Sequence, residues 1–447
     1  MNTKNTELNT ATVCSNLLGA LETKSQTAPN IKWFENENIL VAKDGTLIRT
    51  KSKSTMPKDG NDWIFAFPKV PEKIKQLAEQ EYHISILSNQ KGLFIQPGQK
   101  NPKKELLKTQ LKHKITTLAN QLGISFWFFA AKTDDIFRKP RIGMWLLMAL
   151  HANNSIDIDT KSSFYVGDAL GRPKGWMSAP TKDFADTDLK FALNVGIDIK
   201  VPELFFETYN SAPPIPEPIH CKQLVTDKND LGSIYDGGYS DFISTITSSI
   251  EKNEKFVVVM IGSPASGKSS FVLDILVNQY GLERVNQDTL VTFKKCLDLT
   301  NENLKLGKNI VIDNTNGPKQ TRANYIRLSK EYKYKVYCAH KYIQDEIIAH
   351  NNNYRAVSAQ LKSAHDWIKT EENVQKFNQE FKNKELQYIF DVIPKPGNFV
   401  SRIVYNTYKS RYEAPSKAEG FDAVFVVPFT PSFKSQQDEL LWNTWLC

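Results

Sequence analysis

Residues 256 to 271 read FVVVMIGSPASGKSSF. A six-residue apolar run ends at Gly262, four residues follow, and Gly267-Lys268-Ser269 then opens a helical pattern. Such a continuous run predicts a strand buried on both faces, as at the centre of a parallel sheet. Glycines at both ends of the loop let backbone N–H groups turn inward, and a helix N-terminus adds partial positive charge, so the loop suits phosphate oxygens. Lys268 would reach the β and γ oxygens of a nucleotide, Ser269 would offer its hydroxyl to Mg²⁺, and Ser270 completes the same turn. The order strand, loop, helix makes an α/β fold with a largely parallel sheet the expectation.

Two further strand ends follow. VNQDTL (285 to 290) puts Asp288 after a short apolar stretch, and NIVIDNTN (309 to 316) ends a strand in Asp313. Functional groups of open α/β sheets gather where strands end. Asp288 is placed to take a proton from an acceptor hydroxyl, and Asp313 to hold a metal or its water shell. For either Asp a helix N-cap is the alternative role.

At 447 residues, two domains of about 150 to 250 residues are expected. The four prolines of YNSAPPIPEPI (209 to 219) favour stiff extended chain and mark the junction. The expected division is a polar extension over 1–30, a first domain over 31–208, a linker over 209–235 and a second domain over 236–447. A Lys-rich stretch at 358–396, with Leu361, Trp367, Ile368, Val374, Phe377 and Phe381 at helical spacing, reads as an added amphipathic helix. No apolar run approaches the roughly 20 residues a bilayer needs, and the first 30 residues carry no export or organelle pattern. Five cysteines without CxxC spacing point to a reducing compartment and no zinc site. The formal charge of +8 suits a polyanionic partner, though ordinary surfaces also carry such an excess.

The first half contains ILVAKDGTLIRT (39 to 50), a strand-like run followed by AKDGT. Chemistry that uses DGT after a buried strand normally wants a second carboxylate two residues before the Asp. Here that position is Ala42.

The second half resembles the polynucleotide 5′-kinase/3′-phosphatases of DNA end repair. The resemblance rests on GSPASGKSSF, VNQDTL, VIDNTN, AHNNNYR (349 to 355) and YEAPSKAEGFDAVFVVPF (412 to 429), in the family's order. It implies that Gly262, Gly267, Lys268, Ser269 and Ser270 bind ATP, with Ser269 and Asp313 serving Mg²⁺. Asp288 would be the general base for a 5′-hydroxyl, and Arg355 a lid arginine over the transferring phosphoryl group. Two departures stand out: many members have Arg where this chain has Gln287 and Asn353. Each lost guanidinium removes a bidentate phosphate clamp.

The first half is similar to that family's phosphatase domain, which is haloacid-dehalogenase-like. Besides AKDGT, the matching pieces are DWIFAFPKVPEKIKQL (62 to 77), ISILSNQKGL (84 to 93), FRKPRIGMW (137 to 145), FYVGDALGR (164 to 172) and KDFADTDLKFALNVGI (182 to 197). Carried over, Ser88 and Lys139 would cradle the phosphate, and Asp168 would ligate Mg²⁺. Asp44 would serve as general acid and base with its main chain near the metal. The nucleophile falls on Ala42, whose methyl group cannot attack phosphorus, so negligible 3′-phosphatase turnover is expected. Retention of the other four residues points to a deliberate Asp-to-Ala change. The resemblance further implies DNA ends as partners, a monomer, and residence in the nucleus; the alternatives are RNA end repair, or a metabolite kinase fused to a metabolite phosphatase, since fold alone does not decide the substrate.

Overall fold

A computed structural model describes residues 38–41, 45–54, 57–93, 95, 99–124, 126–132, 134–149, 158–179, 181–207, 209, 211–220, 223–224, 235–369 and 399–447. The described residues form two compact units. The first gathers those of Met1–Pro218, Ala356–Gly397 and Gln437–Cys447; the second gathers Ile219–Arg355 and Asn398–Gln436.

In the first unit, β1 (Asn38–Val41) is the central strand of a five-stranded sheet. A small antiparallel pair, β2 (Ile48–Arg49) and β3 (Ile64–Phe65), follows it. The sheet is completed by β4 (His83–Asn89), β5 (Trp127–Ala131), β6 (Phe164–Val166) and β7 (Asp198–Lys200), in the order β5-β4-β1-β6-β7 with every pair parallel. The helix Val70–Glu79 buries Val70, Ile74 and Leu77, a spacing of four and three that lays one stripe against Ile84, Ile86 and Leu118. The helix Pro102–Leu122 starts with the Asn101 side chain accepting from the Lys104 N–H, and stops at Gly123 in the left-handed region.

The second unit carries β8 (Phe256–Ile261), β9 (Glu283–Val285), β10 (Ile310–Ile312), β11 (Lys335–His340) and β12 (Ala423–Val426). These five strands run parallel in the order β12-β11-β8-β10-β9. Strand β8 is buried at all six positions. Val257, Val259 and Ile261 join the core on one face, and Phe256, Val258 and Met260 the core on the other. Each such side chain contributes about 1.5–3 kcal/mol on full burial, which explains why the run has no polar alternation.

Two expectations need correction. The final residues were assigned to the second domain, yet Gln437–Cys447 belong to the first unit. The cause is a set of polar clamps. Asn194 donates to the Trp445 carbonyl and accepts from its N–H, both at 2.7 Å, while Arg141 Nε and Lys190 Nζ donate to the carbonyls of Leu446 and Cys447. The helix expected from residue 358 is the continuation of a longer one, Asp345–Lys369. Residues 370–396 of the Lys-rich stretch lie outside the described residues, as does the polar extension 1–30. Residues 211–220 carry no helix or strand. No described helix is long and apolar enough to cross a membrane.

Candidate active sites

In the first unit, β1 ends with Val41 paired to both Ile86 and Val166. Ser88 and Asp168 each stand two residues beyond those partners, at the carboxyl end of the sheet. Ala42 and Asp44 lie outside the described residues. The chain is described again from Gly45, at φ +82, where an added Cβ would come within 2.1 Å of Asp168 Oδ2. Only glycine lets the turn pass so close. Beside it, Thr46 Oγ1 donates to Asp168 Oδ1 at 2.8 Å. Burial, reinforced by the nearby Asp188 carboxylate, pushes Asp168 up to about 7.

Lys139 is buried, and its Nζ donates to the Leu87 carbonyl, the Tyr165 hydroxyl and Asp188 Oδ1 at 2.9, 2.7 and 2.7 Å. Its backbone is pinned by Asn89, which accepts from the Lys139 N–H and donates to its carbonyl. Asp188 also accepts from Tyr165 and from the Ala169 N–H. Burial holds the Tyr165 hydroxyl well above its ordinary value. Ser88 is buried and accepts from Gln90. Ser88, Lys139 and Asp168 thus come from three neighbouring sequence blocks around one sheet end. Asp188 and Tyr165 were not singled out from the sequence. Asp188 is one of three closely spaced acids, with Asp183 and Asp186, and only burial distinguishes it. Asp168, with the Thr46 hydroxyl beside it, offers the oxygen donors that a hard cation such as Mg²⁺ prefers.

In the second unit, Gly267 at φ +81 turns the loop into the helical run that starts at Lys268. Lys268 is buried, and its Nζ spans the loop to the carbonyls of Gly262 and Ser263 at 2.8 and 2.7 Å. Burial pushes its ammonium down to about 8, against the opposing pull of Asp313 and Asp288. Ser269 Oγ donates to Asp313 Oδ1 at 3.3 Å. Ser270 follows in the same turn, exposed. Asp313 is 1% exposed, and its other oxygen accepts from Arg284 Nε and Nη2 at 2.9 and 2.6 Å. The Ser269 hydroxyl and Asp313 together offer the oxygen donors that Mg²⁺ prefers.

Neither acid is a helix cap. The helix Gln287–Leu290 is capped by Asn286, which accepts from the Thr289 N–H, leaving Asp288 exposed in the first turn. Asp288 and Arg355 act electrostatically on one another and both act on Lys268. Arg355 lies on the helix Asp345–Lys369, which reaches the phosphate loop through Asn351 Nδ2 and the Ala265 carbonyl at 3.2 Å. Gln287 donates its N–H to Asn314, and Asn353 Nδ2 donates to the Ala349 carbonyl. Arg284 was missed: a lone arginine in a three-residue strand gives no signal until Asp313 is beside it.

The YEAPSKAEGF stretch is structural. Arg322, fully buried, makes a bidentate pair with Glu419 at 2.7 Å for each bond, and donates to the carbonyls of Asn316, Gly317 and Glu413. It ties the segment before β12 to the loop after β10.

Fold and sites together define a two-domain enzyme, a haloacid-dehalogenase-like phosphatase domain followed by a P-loop kinase domain. The family model described as polynucleotide kinase 3 phosphatase matches residues 42–206, and one described as an AAA domain matches 257–382. The bifunctional polynucleotide phosphatase/kinase of Schizosaccharomyces pombe is 32% identical over 431 residues, covering 93% of this chain and 88% of that one. A putative bifunctional polynucleotide phosphatase/kinase of Acanthamoeba polyphaga mimivirus is 30% identical over 415 residues, covering 90% and 86%. The chain belongs to the bifunctional polynucleotide phosphatase/kinase family.

Proposed function

We propose that this chain heals broken nucleic acid ends, phosphorylating 5′-hydroxyls of DNA from ATP, and that its 3′-phosphatase site is disabled at Ala42. The observation that carries the kinase reading is the joint geometry of Lys268, Ser269 and Asp313, with Asp288 and Arg355 electrostatically coupled to the same lysine. Asp288 takes the proton of the 5′-hydroxyl. Its oxygen then bonds to the γ-phosphorus as the bond to the β-phosphate oxygen breaks, and ADP leaves. Lys268 and Arg355 offset charge on the transferring group. Bound Mg²⁺ would neutralise phosphate oxygens beside Ser269 and Asp313.

In the phosphatase domain, Lys139, held by Asp188 and Tyr165, would offset the charge of a 3′-phosphate beside Ser88. Asp168 would hold Mg²⁺. Without a carboxylate at position 42 no phosphoryl-enzyme forms, so a bound 3′-phosphate stays uncleaved. The reading extends to DNA repair in the nucleus, where 5′-phosphate and 3′-hydroxyl ends are what ligation requires, and the +8 charge favours a polyanion.

The test is transfer of labelled γ-phosphate to 5′-hydroxyl DNA, 5′-hydroxyl RNA, nucleosides and sugars. Labelling of DNA above the others, lost in Lys268→Ala, is expected. Labelling of free nucleosides or sugars alone would overturn the reading.

A further inference from the structure

Three successive residues at the end of β9 hold Asp313. The Val285 carbonyl accepts from the Asp313 N–H at 2.8 Å, Asn286 Nδ2 donates to the Asp313 carbonyl at 2.6 Å, and Arg284 donates Nε and Nη2 to Oδ2 at 2.9 and 2.6 Å. Strand register brings them there: β9 is the edge strand, with Arg284 opposite Val311 and Val285 opposite Ile312, so it runs in step with the strand that ends at Asp313. The two backbone clamps fix the main chain of Asp313. The side chain is set by Arg284, which takes one carboxylate oxygen and leaves Oδ1 facing the Ser269 hydroxyl. Asn286 also caps the short helix that carries Asp288, so one strand end fixes both acids.

The pairing also decides the charge that an arriving cation meets. The side chains of Arg284 and Asp313 are 26% and 1% exposed, so salt and water screen the pair little. The buried Lys268 ammonium acts on the same carboxylate, and Asp288 and Arg355 act on Lys268. Lys268, Arg284 and Arg355 together outweigh Asp313 and Asp288 by one positive charge. Mg²⁺ gives up its water reluctantly, and a neutralised carboxylate beside one hydroxyl offers a bare ion little in exchange. Nucleotide phosphates reverse the sign of the site and supply the missing oxygens.

We propose that Arg284 is a positioning residue of the kinase site, which aims Asp313 Oδ1 at the metal position and cancels the carboxylate's charge, so that the divalent cation enters only together with nucleotide. The proposal rests on the kinase reading, which gives Asp313 its metal. With Arg284 neutral, Asp313 would be a buried carboxylate short of its partner, and a bare divalent cation would take the place of the guanidinium.

Mn²⁺ is the probe, its retention by the protein read by equilibrium dialysis. Asp168→Asn is carried throughout, which removes the metal ligand of the first unit, and Asp313→Asn gives the background without nucleotide. The parent chain should retain no Mn²⁺ above that background alone, and should retain it with the ATP analogue AMP-PNP. Arg284→Gln should bind Mn²⁺ without nucleotide, about tenfold or more tightly than the parent, and Mn²⁺ should raise its unfolding midpoint while leaving the parent's unchanged. Arg284→Lys keeps the charge and should behave as the parent does. A merely structural role for Arg284 would lower the midpoint of Arg284→Gln without making it depend on metal. Mn²⁺ bound by the parent without nucleotide, or a folded Arg284→Gln that binds no more tightly than the parent, overturns the proposal. Should Arg284→Gln not fold, the parent decides: retention only with nucleotide upholds the proposal, and retention without it overturns it. Binding is read without phosphoryl transfer, so a parent that retains no Mn²⁺ even with AMP-PNP fails the kinase reading itself, and the proposal with it.

Discussion

Lys139 and Asp188 form an ion pair of 2.7 Å with side chains only 5% and 3% exposed. Asp188 also accepts from Tyr165 and Ala169, so its carboxylate is fully engaged at the base of the phosphatase site. Removing one partner of such a pair leaves an uncompensated buried charge, at a cost of about 3–5 kcal/mol. Asp188→Ala is expected to lower the stability of the first unit by that amount in urea denaturation. A change under about 1 kcal/mol would mean that water reaches Lys139 freely.

Arg322 has a comparable role in the second unit. Its guanidinium is fully buried and satisfied by Glu419 and three carbonyls. Arg322→Ala should destabilise this unit by about 3–5 kcal/mol, and Arg322→Lys should recover little, because an ammonium lacks the planar fork. Thermal unfolding followed by circular dichroism measures both.

Lys268 gives the nucleotide site a pH dependence. Burial lowers its ammonium from the ordinary 10.5 to about 8. The unfolded chain therefore binds more protons between those values, and the stability contribution is present above about 10.5 and lost as pH falls through about 8. Phosphates favour the charged form, so ATP affinity should fall as pH rises above about 8, by up to tenfold per pH unit. Titration calorimetry across that range checks the slope, and Lys268→Met should flatten it.

Ala42→Asp should restore Mg²⁺-dependent phosphate release from a 3′-phosphorylated oligonucleotide, because Ser88, Lys139 and Asp168 are all present around the sheet end. Phosphate release measured by malachite green decides it. No gain would mean that the site has decayed beyond its nucleophile.

The parallel sheets and the phosphate loop were legible in the sequence because each has a local signature: continuous apolar runs such as FVVVMI, and glycines where the backbone must turn inward. Asp188, Tyr165 and Arg284 were not. Their roles come from burial and from partners far along the chain, and a short strand or a cluster of acids does not display either. The attachment of Trp445–Cys447 to the first unit was hidden for the same reason, since Asn194 lies some 250 residues away. The YEAPSKAEGF stretch had no visible purpose until its Glu419 was seen paired with Arg322, 97 residues earlier.

The central claim is that one site still transfers phosphoryl groups while the other only holds them. Mass spectrometry of a single DNA oligonucleotide bearing a 5′-hydroxyl and a 3′-phosphate, incubated with this chain, ATP and Mg²⁺, tests it most directly. The account predicts a product that has gained one 5′-phosphate and kept its 3′-phosphate. An oligonucleotide that gains no 5′-phosphate, or that loses its 3′-phosphate, would contradict it.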